Sequence, residues 1–413
     1  MLLFILLSIT VTLDEAINKA LMESPIYLQA KNNLLIQQKT NSFIYSGLLP
    51  GVYGSYEYYR SKGRVRGIEL FDTTKAYNVA LDWDLRLTDF MDAYSTHYRN
   101  SSAYFSFIDS RNEVIFQVVT AYLNSLMMEG LLLSKEKAVE RSLNNLRLVE
   151  EKLKLGSASR AELLKSKVDN LQAQYDLLRA RKEDRVAKLN LKKFIGVDPA
   201  DSLKLTTPSI EFELPEKDYI MEEAIRNDPT LSMYNAEKTS AKIDLLSNTT
   251  NNLFSLSVST SYGYSGEEFP SSSDIWDEGY YSTVRLSISV PIFTGFSRVN
   301  QIMISRLRLS IAEIQVNDRE REIRILTEDG YLGYREALEK LELARATLDL
   351  ADESYKATLE RYRLGESSII ELLSAEEDFL QAQYSSTQAL FDWYLSIYKL
   401  KRLIGDFRFI ESK

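Results

Sequence analysis

Phe254-Ser-Leu-Ser-Val-Ser-Thr-Ser-Tyr-Gly-Tyr-Ser265 sets Phe, Leu, Val, Thr or Tyr at every even position and Ser or Gly at every odd one. Successive side chains of a strand point to opposite faces, so this run is a strand with one greasy side and one hydroxyl side. Working outward, Tyr77, Val79, Leu81, Trp83, Leu85 and Leu87 alternate with Asn78, Ala80, Asp82, Asp84 and Arg86. Val284, Leu286, Ile288, Val290 and Ile292 alternate with Arg285, Ser287, Ser289 and Pro291, and Val52–Tyr59 is a weaker, Tyr-rich run interrupted by Gly54. Runs of about 10 residues with period two match a tilted strand crossing a bilayer. A soluble sandwich strand also alternates, but a sandwich needs about seven strands and only four runs are present.

The rest of the chain reads as long helix. Residues 157–195 and 366–404 contain neither Gly nor Pro, and residues 99–155 are interrupted only by Gly130. A continuous helix over that last stretch would reach on the order of 80 Å. Leu164, Val168, Leu171, Tyr175 and Leu178 are spaced 4, 3, 4 and 3 apart, and Leu341, Leu348, Tyr355 and Tyr362 fall seven apart. Both spacings predict coiled-coil seams.

The sequence also repeats itself. Gln172-Ala-Gln-Tyr175 recurs as Gln381-Ala-Gln-Tyr384, and the same offset of 209 pairs Tyr122 with Tyr331, Leu155-Gly156 with Leu364-Gly365, Glu162-Leu-Leu164 with Glu371-Leu-Leu373 and Ile195-Gly196 with Ile404-Gly405. Nearer the start an offset of 204 pairs Asp14, Ala20, Leu21 and Pro25 with Asp218, Ala224, Ile225 and Pro229. The plan this predicts is an internal duplication. A first repeat over 12–196 holds a helix, strands at about 50–60 and 76–88, and a helical hairpin at about 95–195. A linker follows at 197–217. The second repeat over 218–405 has strands at about 253–265 and 282–293 and a hairpin at about 297–404, before a C-terminal tail at 406–413.

Composition narrows the function classes. The 413 residues carry 50 Lys and Arg against 59 Asp and Glu, a net charge of −9 that argues against a nucleic-acid partner. There is no cysteine and one histidine, His97, and no phosphate-binding glycine loop, clustered metal ligands or nucleophile–base pair stands out. The expectation is no enzyme, no cofactor, no metal and no catalytic residue. Mean hydropathy is −0.23, and beyond the N-terminus no run of about 18 apolar residues predicts a transmembrane helix. Residues 1–11 read as a truncated signal peptide, with a buried N-terminal strand as the alternative.

Four two-faced strands cannot close a barrel, whose smallest membrane form has about eight. Two copies of the chain would supply eight strands and three would supply twelve. On this reading the 25 tyrosines are explained by amphipathic rings at the lipid boundary. Tyr53, Tyr56, Tyr58, Tyr59, Tyr262, Tyr264, Tyr280 and Tyr281, at the ends of the predicted strands, are expected to form the membrane girdle. The competing reading is a non-conducting coiled-coil scaffold of the periplasm or cell surface.

The residues also resemble a known family, the TolC-like outer-membrane efflux proteins. Thr12-Leu-Asp-Glu-Ala-Ile17 with Ser24-Pro25, Leu48-Leu-Pro50, Val290-Pro-Ile-Phe-Thr-Gly295, and Glu360-Arg-Tyr-Arg-Leu-Gly365 followed by Ile370-Glu-Leu-Leu373 carry the resemblance, from about Thr12 to Gly405. It implies a mainly α fold with membrane β: a homotrimer with a 12-stranded barrel in the outer membrane and a coiled-coil helical barrel extending into the periplasm. It implies a passive exit duct for efflux or type I secretion, with outer-membrane lipid, a periplasmic adaptor (a membrane fusion protein) and an inner-membrane pump as partners.

The resemblance also assigns sites. The hairpin tips Leu155, Gly156 and Ser157, and Leu364, Gly365 and Glu366, would dock the adaptor. Glu371, with Glu162 as its counterpart, would form an acidic ring at the periplasmic mouth, and Ser374 stands where the family has a second acid. Tyr362 and Glu162 match a hydrogen-bonded gate latch, while Ser367 replaces the arginine that would extend it. The stretch 61–75 and the stretch 266–282 read as surface loops.

Overall fold

The computed structural model describes residues 8–42, 49–65, 68–208, 212–250, 254–266, 279–293 and 295–406. Two compact units emerge from the contacts. One gathers the described residues within 1–32, 107–229 and 320–413, and the other those within 33–106 and 230–319.

The second unit holds the sheet. Strands β2 (Gly51–Val65), β3 (Ile68–Arg86), β5 (Ser255–Gly266) and β6 (Tyr280–Ser289) are antiparallel in the order β2-β3-β5-β6. β2 and β6 each have one neighbour, so both sheet edges are open among the described residues. Pairing runs further than alternation predicts. Most of 61–75, expected as a loop, lies in the β2–β3 hairpin, with Ser61 opposite Asp72 and Val65 opposite Ile68. Main-chain ladders do not need apolar side chains, so charge-rich strand ends escape a hydropathy reading. Conversely, β6 ends at Ser289, leaving Val290 and Ile292 beyond it. Of the stretch 266–282, residues 267–278 lie outside the described set.

Helix α6 (Pro229–Thr250) and the first turns of α3 (Leu87–Lys154) pack against one another here through small hydroxyls. The Ser95 hydroxyl lies 2.9 Å from that of Ser240 and donates to Asp244 Oδ1 at 2.7 Å, while Arg99 donates from Nη2 to both Asp244 oxygens at 3.0 and 2.8 Å.

The first unit is helical. α1 (Leu13–Glu23) opens with a capping box in which the Thr12 side chain accepts from Glu15 N–H and the Glu15 carboxylate accepts from Thr12 N–H. Its Leu13, Ala16, Ile17 and Ala20 bury against Val114, Ile115, Val118, Val119, Tyr122, Leu123 and Leu126 of α3 and Leu191 and Ile195 of α4 (Arg160–Ile195). Part of α3 is long and apolar enough to cross a membrane by composition, contrary to the expectation, and half of that segment is buried. The buried Val and Ile above show it serving as core, where each side chain contributes roughly 1.5–3 kcal/mol.

Two strands add to the expected plan in this unit. Ser8–Val11, inside the stretch read as a truncated signal peptide with a buried strand as the alternative, is strand β1, parallel to β4 (Ser202–Leu205). β-branched Ile9, Thr10 and Val11 suit a strand, and Val11 is buried. Residues 1–7 lie outside the described residues. The linker 197–217 likewise contains β4. The Tyr122 hydroxyl ties the pair together, 2.9 Å from the Val11 carbonyl and 2.7 Å from the Thr206 carbonyl, while accepting from Thr206 N–H at 3.1 Å.

The second series of elements follows the first in kind and nearly in length. α5 (Lys217–Asn227) packs Ile220 with Tyr334, Ile397 and Leu400, and α7 (Ser297–Leu364) and α8 (Ile369–Leu403) have 68 and 35 residues against 68 and 36 for α3 and α4. α2 (Pro25–Ser42) corresponds to α6.

Candidate functional site

Register sorts the sheet's side chains into two faces, because residues directly opposite one another share a face. Val52, Leu81, Thr260 and Val284 form one row. Trp83, Val258 and Leu286 form the next on the same face, and Leu256 with Ile288 another. The opposite face carries Tyr53, Ala80, Ser261 and Thr283 in one row and Asp82, Ser259 and Arg285 in the next. One side is therefore apolar and the other hydroxyl-rich. Val284, Leu286 and Ile288 on edge strand β6 remain 78%, 67% and 67% exposed.

Across the apolar face runs a single row of tyrosines, Tyr56–Tyr77–Tyr264–Tyr280, one from each strand. Neighbouring rings lie 5.0, 6.3 and 5.1 Å apart between centroids, and Tyr262 stacks on Tyr280 at 5.8 Å. Tyr58 shares this face. The expected girdle is corrected for three residues: Tyr53, Tyr59 and Tyr281 sit on the polar face, the Tyr281 ring lying where a Cβ on Gly263 would be. Their places near strand ends hid a parity that only pairing reveals. Tyr77, outside the expected set, is the residue that makes the row continuous.

The hairpin tips are built alike. α3 ends in Leu155-Gly156-Ser157, where Gly156 N–H donates to Leu153 O at 3.0 Å and Ser157 N–H to Lys152 O at 2.7 Å. α7 ends in Leu364-Gly365-Glu366, with Gly365 N–H to Tyr362 O at 3.1 Å and Glu366 N–H to Arg361 O at 2.8 Å. Gly156 and Gly365 adopt φ of 73° and 83°, the left-handed conformation that closes such turns and that side chains disfavour. A Cβ on either would meet nothing within 4 Å. Leu155 and Leu364 are 81% and 74% exposed, so each tip offers an apolar knob beside open backbone.

The acids behind the tips differ. Glu162 closes a capping box, its carboxylate accepting from Ser159 N–H at 2.7 Å while its own N–H donates to Ser159 Oγ at 3.2 Å. Glu371 N–H donates to Ser368 Oγ at 3.2 Å, but its carboxylate accepts from the Ser367 hydroxyl at 2.8 Å. Glu371 and Ser374 are exposed on α8. The expected Tyr362–Glu162 hydrogen bond is not formed. The Tyr362 hydroxyl is buried without a partner, and the ring packs with Val149, Tyr355, Ile369, Leu372 and Phe379. Lys152 Nζ sits 4.3 Å from its centroid and donates to the Tyr362 carbonyl. Burial, and then the nearby Glu162 charge, raise the pKa of this phenol.

A polar cluster that the sequence reading missed lies under the hairpins. Glu376 of α8 is 4% exposed, accepts from Asn145 Nδ2 at 2.7 Å and faces Arg141 Nε at 3.6 Å, while Arg141 stacks over Phe379. Burial, reinforced by Asp169, pushes Glu376 up to about 7, against the opposing pull of Arg141 and Asn145. Its acidic neighbours Glu377 and Asp378 make the segment look solvated. The phase could have found it, since Glu376 lies four residues after buried Leu372 and three before Phe379.

Comparisons with known proteins bear on this geometry. Residues 220–406 match the family model described as outer membrane efflux protein. A curated relative, the outer membrane efflux protein BepC of Brucella suis biovar 1 (strain 1330), is 20% identical over 402 residues, covering 95% of this chain and 85% of its own. The CmeC outer membrane channel of Campylobacter jejuni shares the fold with a TM-score of 0.85 at 16% identity, over 95% of this chain and 85% of that one. VceC of Vibrio cholerae does so at 0.84 and 15% identity, over 95% and 96%. With the family match over residues 220–406 and the fold shared along 95% of its length, the chain is similar to the outer membrane efflux proteins and has the fold of the outer membrane channels CmeC and VceC.

Proposed function

We propose that three copies of the chain close one passive duct, a 12-stranded barrel in the outer membrane continued by a helical barrel in the periplasm. The observation that carries the reading is the four-stranded sheet with one apolar face, one hydroxyl face and two open edges. In lipid, unpaired edge groups cost several kcal/mol each, so the edges of β2 and β6 must meet other copies. Three chains then contribute twelve strands, with the apolar faces outward and the hydroxyl faces lining the lumen. The parallel series of elements in the two halves fits an internal duplication, which turns three chains into a near-sixfold helical tube.

In this reading the duct is the exit stage of a tripartite efflux or type I secretion system. A periplasmic adaptor seats on the six tips around Gly156 and Gly365, taking Leu155 and Leu364 as its apolar contacts, and an inner-membrane pump supplies substrate and energy. Glu371 from three chains forms a ring of like charges at the mouth, where cations bind and repulsion favours opening.

Cells carrying Gly156→Trp or Gly365→Trp are expected to lose efflux while the oligomer still assembles, and Gly→Ala at the same positions to retain it. The left-handed φ costs both substitutions alike, so only the indole's bulk separates them. Normal efflux by both Trp variants would contradict the docking role.

A further inference from the structure

The two helical hairpins of the first unit are tied together along α3. Ser134 Oγ donates to Gln383 at 2.5 Å, Asn145 Nδ2 to Glu376 at 2.7 Å, and Lys152 Nζ to the Tyr362 carbonyl. Glu376 is the carboxylate among these ties, and all four helices bring charged or titratable groups to it. α3 supplies Arg141, α4 supplies Asp169 with Lys165 acting on it, α7 supplies Tyr355, and Glu377 of α8 acts on Asp169 in turn. An ionised Glu376 is poorly served there. Arg141 Nε stands 3.6 Å off, beyond good hydrogen-bond reach, with its guanidinium 5.0 Å over the Phe379 ring. Arg141 Nε and Nη2 are buried without a hydrogen-bond partner, and Phe379 stacks on Tyr355 at 5.9 Å. Asp169 adds a like charge from α4. A protonated Glu376 fits these surroundings, whereas an ionised one is a buried charge with incomplete pairing, which favours any arrangement that readmits water.

We propose that Glu376, Arg141 and Asn145 form a proton-operated clasp between the hairpins α3–α4 and α7–α8. It holds them together while Glu376 carries a proton and lets them part when that proton leaves to bulk water. The clasp rests on the duct reading for one consequence alone, that parted hairpins widen the periplasmic mouth. With the hairpins together, burial and Asp169 raise Glu376 from 4.5 to about 7, whereas hairpins that have parted leave the carboxyl in water at its ordinary value. The packed arrangement is therefore favoured most below about 4.5, loses ground as pH rises to about 7, and changes no further above that. Across this window the balance between the two arrangements shifts by roughly a few hundred-fold at most. The Ser134–Gln383 tie carries no charge, so the response is concentrated at Glu376.

The test measures the distance between the two tips in the full chain. There is no cysteine in the sequence, so Ser157→Cys with Glu366→Cys places two spin labels at exposed positions, and dilution with unlabelled chain isolates the distance within one chain. Pulsed electron resonance is expected to show a short tip-to-tip distance in acid and a growing longer population as pH rises to about 7. Glu376→Gln keeps an acceptor for Asn145 but cannot ionise, and should hold the short distance at every pH. The Arg141 charge favours ionisation and the Asp169 charge opposes it. Arg141→Gln should therefore extend the window to higher pH and Asp169→Asn should end it earlier, opposite shifts that a merely structural contact does not produce. Tips indifferent to pH, or a Glu376→Gln chain that parts with pH as the unaltered one does, overturns the proposal. Conductance of the same preparations separates its failure from that of the duct reading. Tips that part with pH in a chain that never conducts sink the duct and leave the clasp standing. A conducting chain whose tips ignore pH loses the clasp alone.

Discussion

Helices α4 and α8 begin in the same way and end up doing different things. Each follows a left-handed glycine, takes a serine N-cap and carries glutamate at the third helical position. On α4, Leu164, Val168, Leu171, Tyr175 and Leu178 are all between 55% and 65% exposed. The matching positions on α8 are Leu373, Glu377, Leu380, Tyr384 and Thr387, and there Glu377 and Tyr384 alone are exposed. Inside the chain the contrast reverses. α8 buries Leu372, Ala375, Phe379 and Ala382, whereas α4 buries Ser166 and Asn170 at the positions of Ala375 and Phe379. α8 therefore spends its apolar residues within its own chain, and α4 holds a heptad seam outside it. The sequence reading predicted a coiled-coil seam here, and spacing reports only that a stripe exists, not which chain covers it.

The comparison breaks first at α4. Val168→Glu with Leu171→Glu is expected to abolish a detergent-stable oligomer and leave the helix content of the single chain intact, since both side chains are exposed there. Glu377→Gln at the α8 counterpart of Val168 should leave the oligomer unaltered. Gel filtration with light scattering reads both, and an intact oligomer in the double variant would show that the stripe is not an interface.

A smaller effect sharpens the difference from the α8 side. Glu376 has its folded pKa raised from 4.5 to about 7, so the folded chain holds a proton that the unfolded chain releases. Stability is then greatest below the unfolded value and falls as pH rises from about 4.5 to about 7. A shift of that size corresponds to about 3 kcal/mol for this buried group. Glu376→Gln should flatten that pH dependence of thermal unfolding, and α4, whose corresponding residue is exposed Lys167, should show no such window on Lys167→Gln.

The smallest expected difference lies in the caps. Glu162→Gln weakens a closed capping box and should cost about 0.5–1 kcal/mol in thermal unfolding. Glu371→Gln should cost less, because its carboxylate bonds the Ser367 hydroxyl and not the cap N–H. Equal costs would mean that the two tips are energetically alike.

Much of this architecture was legible. Long stretches without Gly or Pro could only be helix, and Gly156 and Gly365 stood at the turns that end them. Alternation found all four strands of the large sheet. What escaped depends on pairing and packing. Tyr53, Tyr59 and Tyr281 could not be told from Tyr56 and Tyr280 until register assigned faces. Ser61–Val65 looked like loop because its partners are backbone. Tyr362 was expected to bond Glu162, but the capping box satisfies that carboxylate locally, which a pairwise reading could not foresee.

The central claim is that an open four-stranded sheet becomes a closed pore only in company. Single-channel recording of the purified full chain in a planar bilayer tests this most directly. The account predicts discrete conductance steps from the oligomer and none from Val168→Glu/Leu171→Glu. A chain that forms only a soluble dimer, or an oligomer that inserts without conducting, would contradict it.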